Sequence, residues 1–138
     1  MLPNKNLGVN ILRVFTGVDI VEIDRIKNSI DKLGDKFLEK IFTLSEIKYC
    51  ESKKGMKYQS YAVRFAVKEA VAKLLKTGIG NGVSFRDIVI ENDANGAPFV
   101  SLFGGARLKC KALNINEISV SMSHCKQYAI GHVVGVTK

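Results

Sequence analysis

The stretch from Tyr58 to Lys76 constrains the fold more than any other. At about 100° per residue, Val63, Ala66, Val67, Ala70, Val71 and Leu74 share one wide apolar face. Arg64, Lys68, Glu69, Lys73 and Lys76 lie on the other side. Gly78 and Gly80 end the helix. An apolar face this wide has to be buried against another layer.

The flanking segments supply strands and short helices. The run VNILRVFTGVDIVEI is rich in β-branched residues and predicts a strand to about Ile20. Ile23, Ile26, Ile30 and Leu33 recur at helical spacing before Gly34. DKFLEKIF reads as a short helix, and Thr43 and Glu46 have capping-box spacing ahead of another. FRDIVIEN and APFVSL are strands joined by DANG, where Asn95-Gly96 supplies positive φ. GARLKCKAL is a short helix, and EISVSMSH and QYAIGHVVGV close the chain as strands. Helices mixed with hairpins predict an α+β fold: a largely antiparallel sheet packed against one long helix and several short ones.

The 138 residues suit one domain, 1–138. No apolar run reaches the roughly 20 residues of a membrane span, and the first residues make a poor signal peptide. A cytoplasmic location with no membrane partner is expected. The three cysteines, Cys50, Cys110 and Cys125, form no CxxC pair and are read as unpaired thiols. The net charge of +8 favours anionic partners. No block of like charges and no aromatic–glycine recognition pattern accompanies it, so no nucleic-acid partner is expected.

Glu69 has two readings. It forms a favourable i, i+4 pair with Lys73, worth a few tenths of a kcal/mol, or it belongs to a metal and phosphate site at the edge of the core. Asp19 bears on the choice. An acid among strand residues is unusual unless paired, hydrogen-bonded or metal-bound; capping the following helix is its plain alternative. Gly17 beside it allows close approach of a backbone or a ligand. A strand aspartate and a helix glutamate could offer Mg²⁺ two oxygens, with waters and substrate phosphates supplying the rest.

GVDIVEIDRI, FAVKEAVAKLLKTGIGNG and SVSMSHCKQYAI, in this order, resemble the holo-[acyl-carrier-protein] synthases, the small 4′-phosphopantetheinyl transferases. The resemblance covers nearly the whole chain from about residue 15, leaving residues 1–13 as an N-terminal extension. It implies transfer of the phosphopantetheine arm of coenzyme A to a serine of apo acyl carrier protein, releasing adenosine 3′,5′-bisphosphate, in fatty acid biosynthesis. It makes Asp19 and Glu69 the Mg²⁺ ligands, Glu69 and Lys73 catalytic, and Arg25 a docking residue for the acidic carrier protein. Arg64, Lys68, Gly96, Pro98 and His124 fall where the family meets coenzyme A. Glu69 acting through water, or water on the ion, is the expected base. A homotrimer with sites between subunits is implied. Val21 stands where larger relatives carry a third acid, and Gly131-His132 interrupts a last strand that is usually more apolar. The competing classes are a non-catalytic nucleotide- or RNA-binding basic domain and a structural oligomerisation module.

Overall fold

A computed structural model of the chain describes residues 11–137. Most of the extension expected over residues 1–13 therefore lies outside the described residues. The first strand, β1 (Val14–Glu22), leads directly into α1 (Ile23–Leu33). Gly34, at φ 60°, ends α1 by returning its N–H to the Ile30 carbonyl. Two short helices follow, α2 (Asp35–Ile41) and α3 (Leu44–Glu51). The expected capping box is present at α3: the Glu46 N–H donates to Thr43 Oγ1, and the Thr43 N–H donates to Glu46 Oε1. A short turn at Lys54–Met56 opens the long helix α4 (Lys57–Leu74). A second turn, Phe85–Asp87, precedes β2 (Ile88–Asn92) and β3 (Pro98–Leu102). The chain ends with α5 (Gly104–Ala112), β4 (Ile115–His124) and β5 (Tyr128–Thr137).

The α+β class holds, but the five strands among the described residues divide into two sheets. One is antiparallel in the order β1-β5-β4; the other is the β2-β3 hairpin. The hairpin turn also departs from expectation. Gly96 is at φ 83°, while Asn95 stays out of the positive-φ region. The Asp93 carboxylate organises the loop by accepting from the N–H groups of Asn95 and Ala97.

Helix α4 lies on the β1-β5 face and threads the core from end to end. Two glycines let it come close. A Cβ on Gly17 would stand 1.9 Å from the Ala70 carbonyl oxygen, and one on Gly131 would stand 2.5 Å from the Val67 nitrogen. Gly131 thus interrupts nothing: it is an integral residue of β5, bare because the helix backbone occupies the space of its side chain. The strands alternate accordingly. Phe15, Gly17 and Val21 face α4, while Val14, Val18 and Ile20 point away and are 65%, 49% and 62% exposed. Tyr128 and Ile130 of β5 continue that exposed apolar face.

No helix among the described residues is long and apolar enough to cross a membrane.

Candidate active site

The backbone pairing brings Asp19 and Glu69 together. Asp19 is opposite Gly131 across the β1-β5 ladder, and Gly17 is two residues earlier on the same face. Those two glycines touch α4 at Val67 and Ala70, on either side of Glu69. The first carboxylate is therefore held under the turn of α4 that carries the second. Asp19 lies well inside β1, three residues before the Glu22 N-cap of α1, which excludes the capping alternative.

The electrostatics agree with this placement. The Glu69 carboxyl is pushed above the ordinary glutamate value, first by burial and then by the charge of Asp19; Lys73 and Arg25 oppose the rise. Lys73 donates to Asp19 Oδ1 at 3.0 Å and to the Val18 carbonyl at 2.9 Å. So Lys73 does make an ion pair, but with the strand aspartate rather than with Glu69 one turn away. Arg25, from the first turn of α1, completes a cluster of two acids and two cations.

The donor set suits a hard cation. It consists of two carboxylates, one of them partly desolvated, and two carboxylates leave most of an octahedral shell to water and substrate. Among the described residues, no group of three or more His, Cys, Asp or Glu gathers at one place.

A second group forms elsewhere. Arg64 is 2% exposed and crosses from α4 to the hairpin, donating from Nη2 to Asn92 Oδ1 at 2.8 Å and from Nη1 to Ser60 Oγ at 3.1 Å. Its guanidinium lies 4.2 Å from the centre of the Tyr49 ring. Asn92 in turn donates to the Gly96 carbonyl at 3.0 Å. Two cavities flank this arginine. One, of about 530 Å³, is bordered by Ser45, Tyr49, Lys53, Asn92, Asp93 and Gly96. The other, of about 220 Å³, is bordered by Met56, Gln59, Ser60, Arg64, Met122 and His124. Arg64 Nε and Gln59 Oε1 are buried without hydrogen-bond partners, and both residues line the smaller cavity. Pro98 opens β3 beside the larger one, paired with Asn92.

Lys68 is the exception among the expected site residues. The helical wheel puts it on the polar side, but it is wholly buried, bound to Glu46 and to the carbonyls of Phe85 and Ile88. Its expected place on a coenzyme A phosphate is corrected: α3 and β2 cover that flank of α4 and leave the ammonium no path to solvent. Asn92, Tyr49 and Lys53 border these cavities without any mark in the sequence. A single asparagine at the end of a strand carries no pattern that would mark it.

A three-stranded antiparallel sheet under one helix thus gathers two acids and a lysine where β1 meets α4. The sequence matches the 4′-phosphopantetheinyl transferase superfamily over residues 15–133, and the chain belongs to that family. It is thus a phosphopantetheinyl transferase. Within the family it is similar to the holo-[acyl-carrier-protein] synthase of Ruminiclostridium cellulolyticum, 51% identical over 123 residues, 89% of this chain and 92% of the relative. Among solved structures, the Helicobacter pylori holo-[acyl-carrier-protein] synthase in complex with coenzyme A is 39% identical, with a TM-score of 0.77 over 87% of this chain and 98% of that one. The Bacillus anthracis enzyme in complex with CoA (3′,5′-ADP) is 34% identical, with a TM-score of 0.77 over 93% and 100% of the two chains.

Proposed function

We propose that this chain transfers the 4′-phosphopantetheine group of coenzyme A to a serine hydroxyl of apo acyl carrier protein, yielding holo carrier protein and adenosine 3′,5′-bisphosphate. The observation that carries the reading is the closeness of Asp19 and Glu69, with Lys73 on the aspartate. Two acids gathered under one helix turn are of little use to RNA, whose phosphates they would repel. The rival reading as a basic RNA-binding domain rests on net charge alone.

Asp19 and Glu69 would hold Mg²⁺, which supplies neutralisation of charge on the pyrophosphate and the leaving bisphosphate. Lys73 is fixed by the Val18 carbonyl and Asp19, so its ammonium is directed before substrate arrives. It offsets charge on the same phosphates. Glu69 acting through an intervening water, or a water beside the ion, takes the serine proton. Arg64 and His124 border the smaller cavity and Gly96 the larger. These supply the cationic and backbone contacts for the nucleotide end, with Pro98 beside them. Arg25, exposed on α1, meets the acidic carrier protein.

The acid cluster lies where β1 meets α4; the larger cavity lies against α3 and the hairpin, and the smaller one between the first half of α4 and the end of β4. A homotrimer whose sites form between subunits would bring one copy's acids to another's cavities. The exposed apolar face of Val14, Val18, Ile20, Tyr128 and Ile130 supports such an assembly, because an unpartnered patch of this kind marks an interaction surface. The cell compartment consistent with these substrates is the cytoplasm.

The test is direct: incubate the protein with coenzyme A, Mg²⁺ and apo carrier protein, and weigh the carrier by mass spectrometry. The expected result is a gain of one phosphopantetheine that disappears with a chelator. Salt-sensitive RNA binding without any mass gain overturns the reading.

A further inference from the structure

Lys68 and Glu46 form an ion pair with no exposed surface, Nζ to Oε1 at 2.9 Å. A lysine ammonium has three protons to donate, and Lys68 finds three acceptors: Glu46 Oε1, the Phe85 carbonyl at 3.0 Å and the Ile88 carbonyl. Glu46 is used as fully. Its Oε1 also accepts the Thr43 N–H at 2.9 Å, and its Oε2 accepts the Ile90 N–H at 3.0 Å. One pair thereby ties four segments together: α4, the start of α3, the Phe85–Asp87 turn and β2.

A buried ion pair is a poor device for stability alone, because apolar replacements of similar volume are often as stable. What it gives is direction. β2 advances about 3.3 Å per residue, so a slip of one residue would carry both the Ile88 carbonyl and the Ile90 N–H out of reach. The other end of β2 is bound to the same helix through Arg64 and Asn92, and Asn92 holds the Gly96 carbonyl. Lys68 is also the neighbour of Glu69 on α4. The hairpin loop and the acid cluster are therefore referenced to adjoining residues of one helix.

We propose that Lys68 and Glu46 are positioning residues: their buried pair sets where the Gly96–Pro98 loop stands relative to Glu69 and Lys73, and so sets the affinity for the nucleotide end of coenzyme A. Neither touches substrate. This rests on the reading that the hairpin borders coenzyme A.

The test compares Glu46→Gln, Lys68→Met and the double variant. The readouts are KM for coenzyme A, KM for carrier protein, kcat, and direct binding of adenosine 3′,5′-bisphosphate. Each single variant should raise KM for coenzyme A and weaken bisphosphate binding by about tenfold, the scale of lost supporting contacts. Carrier KM and kcat should stay near wild type. The double variant should go no further than the worse single one. If Lys68→Met weakens bisphosphate binding while Glu46→Gln does not, Lys68 is a direct phosphate ligand and the proposal falls. If melting temperature drops while every KM stays at the wild-type value, the pair only stabilises the fold and the proposal also falls. Should the single variants not fold, the double variant, with no unpaired buried charge, carries the comparison. Asn92→Ala leaves the pair intact but cuts its link to the loop, and a wild-type KM for coenzyme A there overturns the proposal independently. A wild-type protein that labels no carrier at all would instead sink the functional reading, while bisphosphate binding still tests the positioning role.

Discussion

Lys73 donates to the carboxylate of Asp19 at 3.0 Å across 54 positions of sequence. That bond joins the middle of β1 to the last turns of α4 at the point where the helix rests on Gly17 and Gly131. With the Lys73 bond to the Val18 carbonyl, it turns a packing contact between two elements into a site with directed charge. Both ion-pair partners remain partly accessible, which is what a group that must meet substrate requires.

Replacing either carboxylate with its amide removes a charged oxygen and little volume. Asp19→Asn and Glu69→Gln should each lower the transfer rate by at least about a hundredfold, the scale for losing one group that stabilises transition-state charge. The far-ultraviolet circular dichroism of both should match wild type. The assay is carrier mass against time, and transfer near the wild-type rate in Glu69→Gln would remove that residue from the site.

Glu69 also predicts a pH dependence of stability. Its folded-state pKa lies above the ordinary value of 4.5, mainly through burial and then through Asp19. The folded chain therefore holds this proton more tightly than the unfolded chain. That contribution is complete below about pH 4.5 and is lost as pH rises through the raised value. In metal-free buffer, Glu69→Gln should gain in melting temperature over wild type across that window. At neutral pH, added Mg²⁺ should raise the melting temperature of wild type and leave the variant unmoved. Calorimetry from about pH 4 to about pH 8, with and without MgCl₂, checks both halves.

Lys68 should matter to stability as well as to coenzyme A affinity. Removing it leaves Glu46 charged and wholly buried, a loss of about 3–5 kcal/mol. Lys27 makes a similar pair with Asp31, but on the surface, and Lys27→Ala should be hard to distinguish from wild type. Urea denaturation of the two variants side by side measures the contrast.

Gly17→Ala should be severely destabilising, because its Cβ would enter the Ala70 carbonyl. Overpacking commonly costs about 1–3 kcal/mol, and here the obstacle is backbone, which cannot rotate aside. The melting temperature should fall and the stabilising response to Mg²⁺ should weaken with it.

Arg25→Glu should raise KM for the carrier protein far more than KM for coenzyme A. Equal effects on both would argue against a docking role for α1. Steady-state kinetics with each substrate varied in turn separates the outcomes.

Much of this site can be read from residue order. An aspartate among valines and isoleucines, beside a glycine, has few inert explanations, and the spacing of α4 showed where Glu69 and Lys73 stand. Lys68 escaped because a helical wheel describes one helix against one neighbour, whereas α4 is covered by a sheet, by α3 and by β2. Its partner Glu46 was visible as a capping residue, but local spacing could account for it fully, so nothing pointed to a second bond 22 positions away. Gly131 escaped because a small residue in a strand looks like a weakness until the opposing backbone is known. The split into two sheets is hidden for a similar reason: strand propensity is local and pairing is not.

Because α4 meets β1 and β5 through bare backbone at Gly17 and Gly131, no side chain acts as a cushion between them at those two points. The height of Glu69 above Asp19 is then a property of main-chain contact, insulated from drift in the sizes of surrounding apolar residues. Such a chain can change much of its interior over time while the gap between its two acids stays the same.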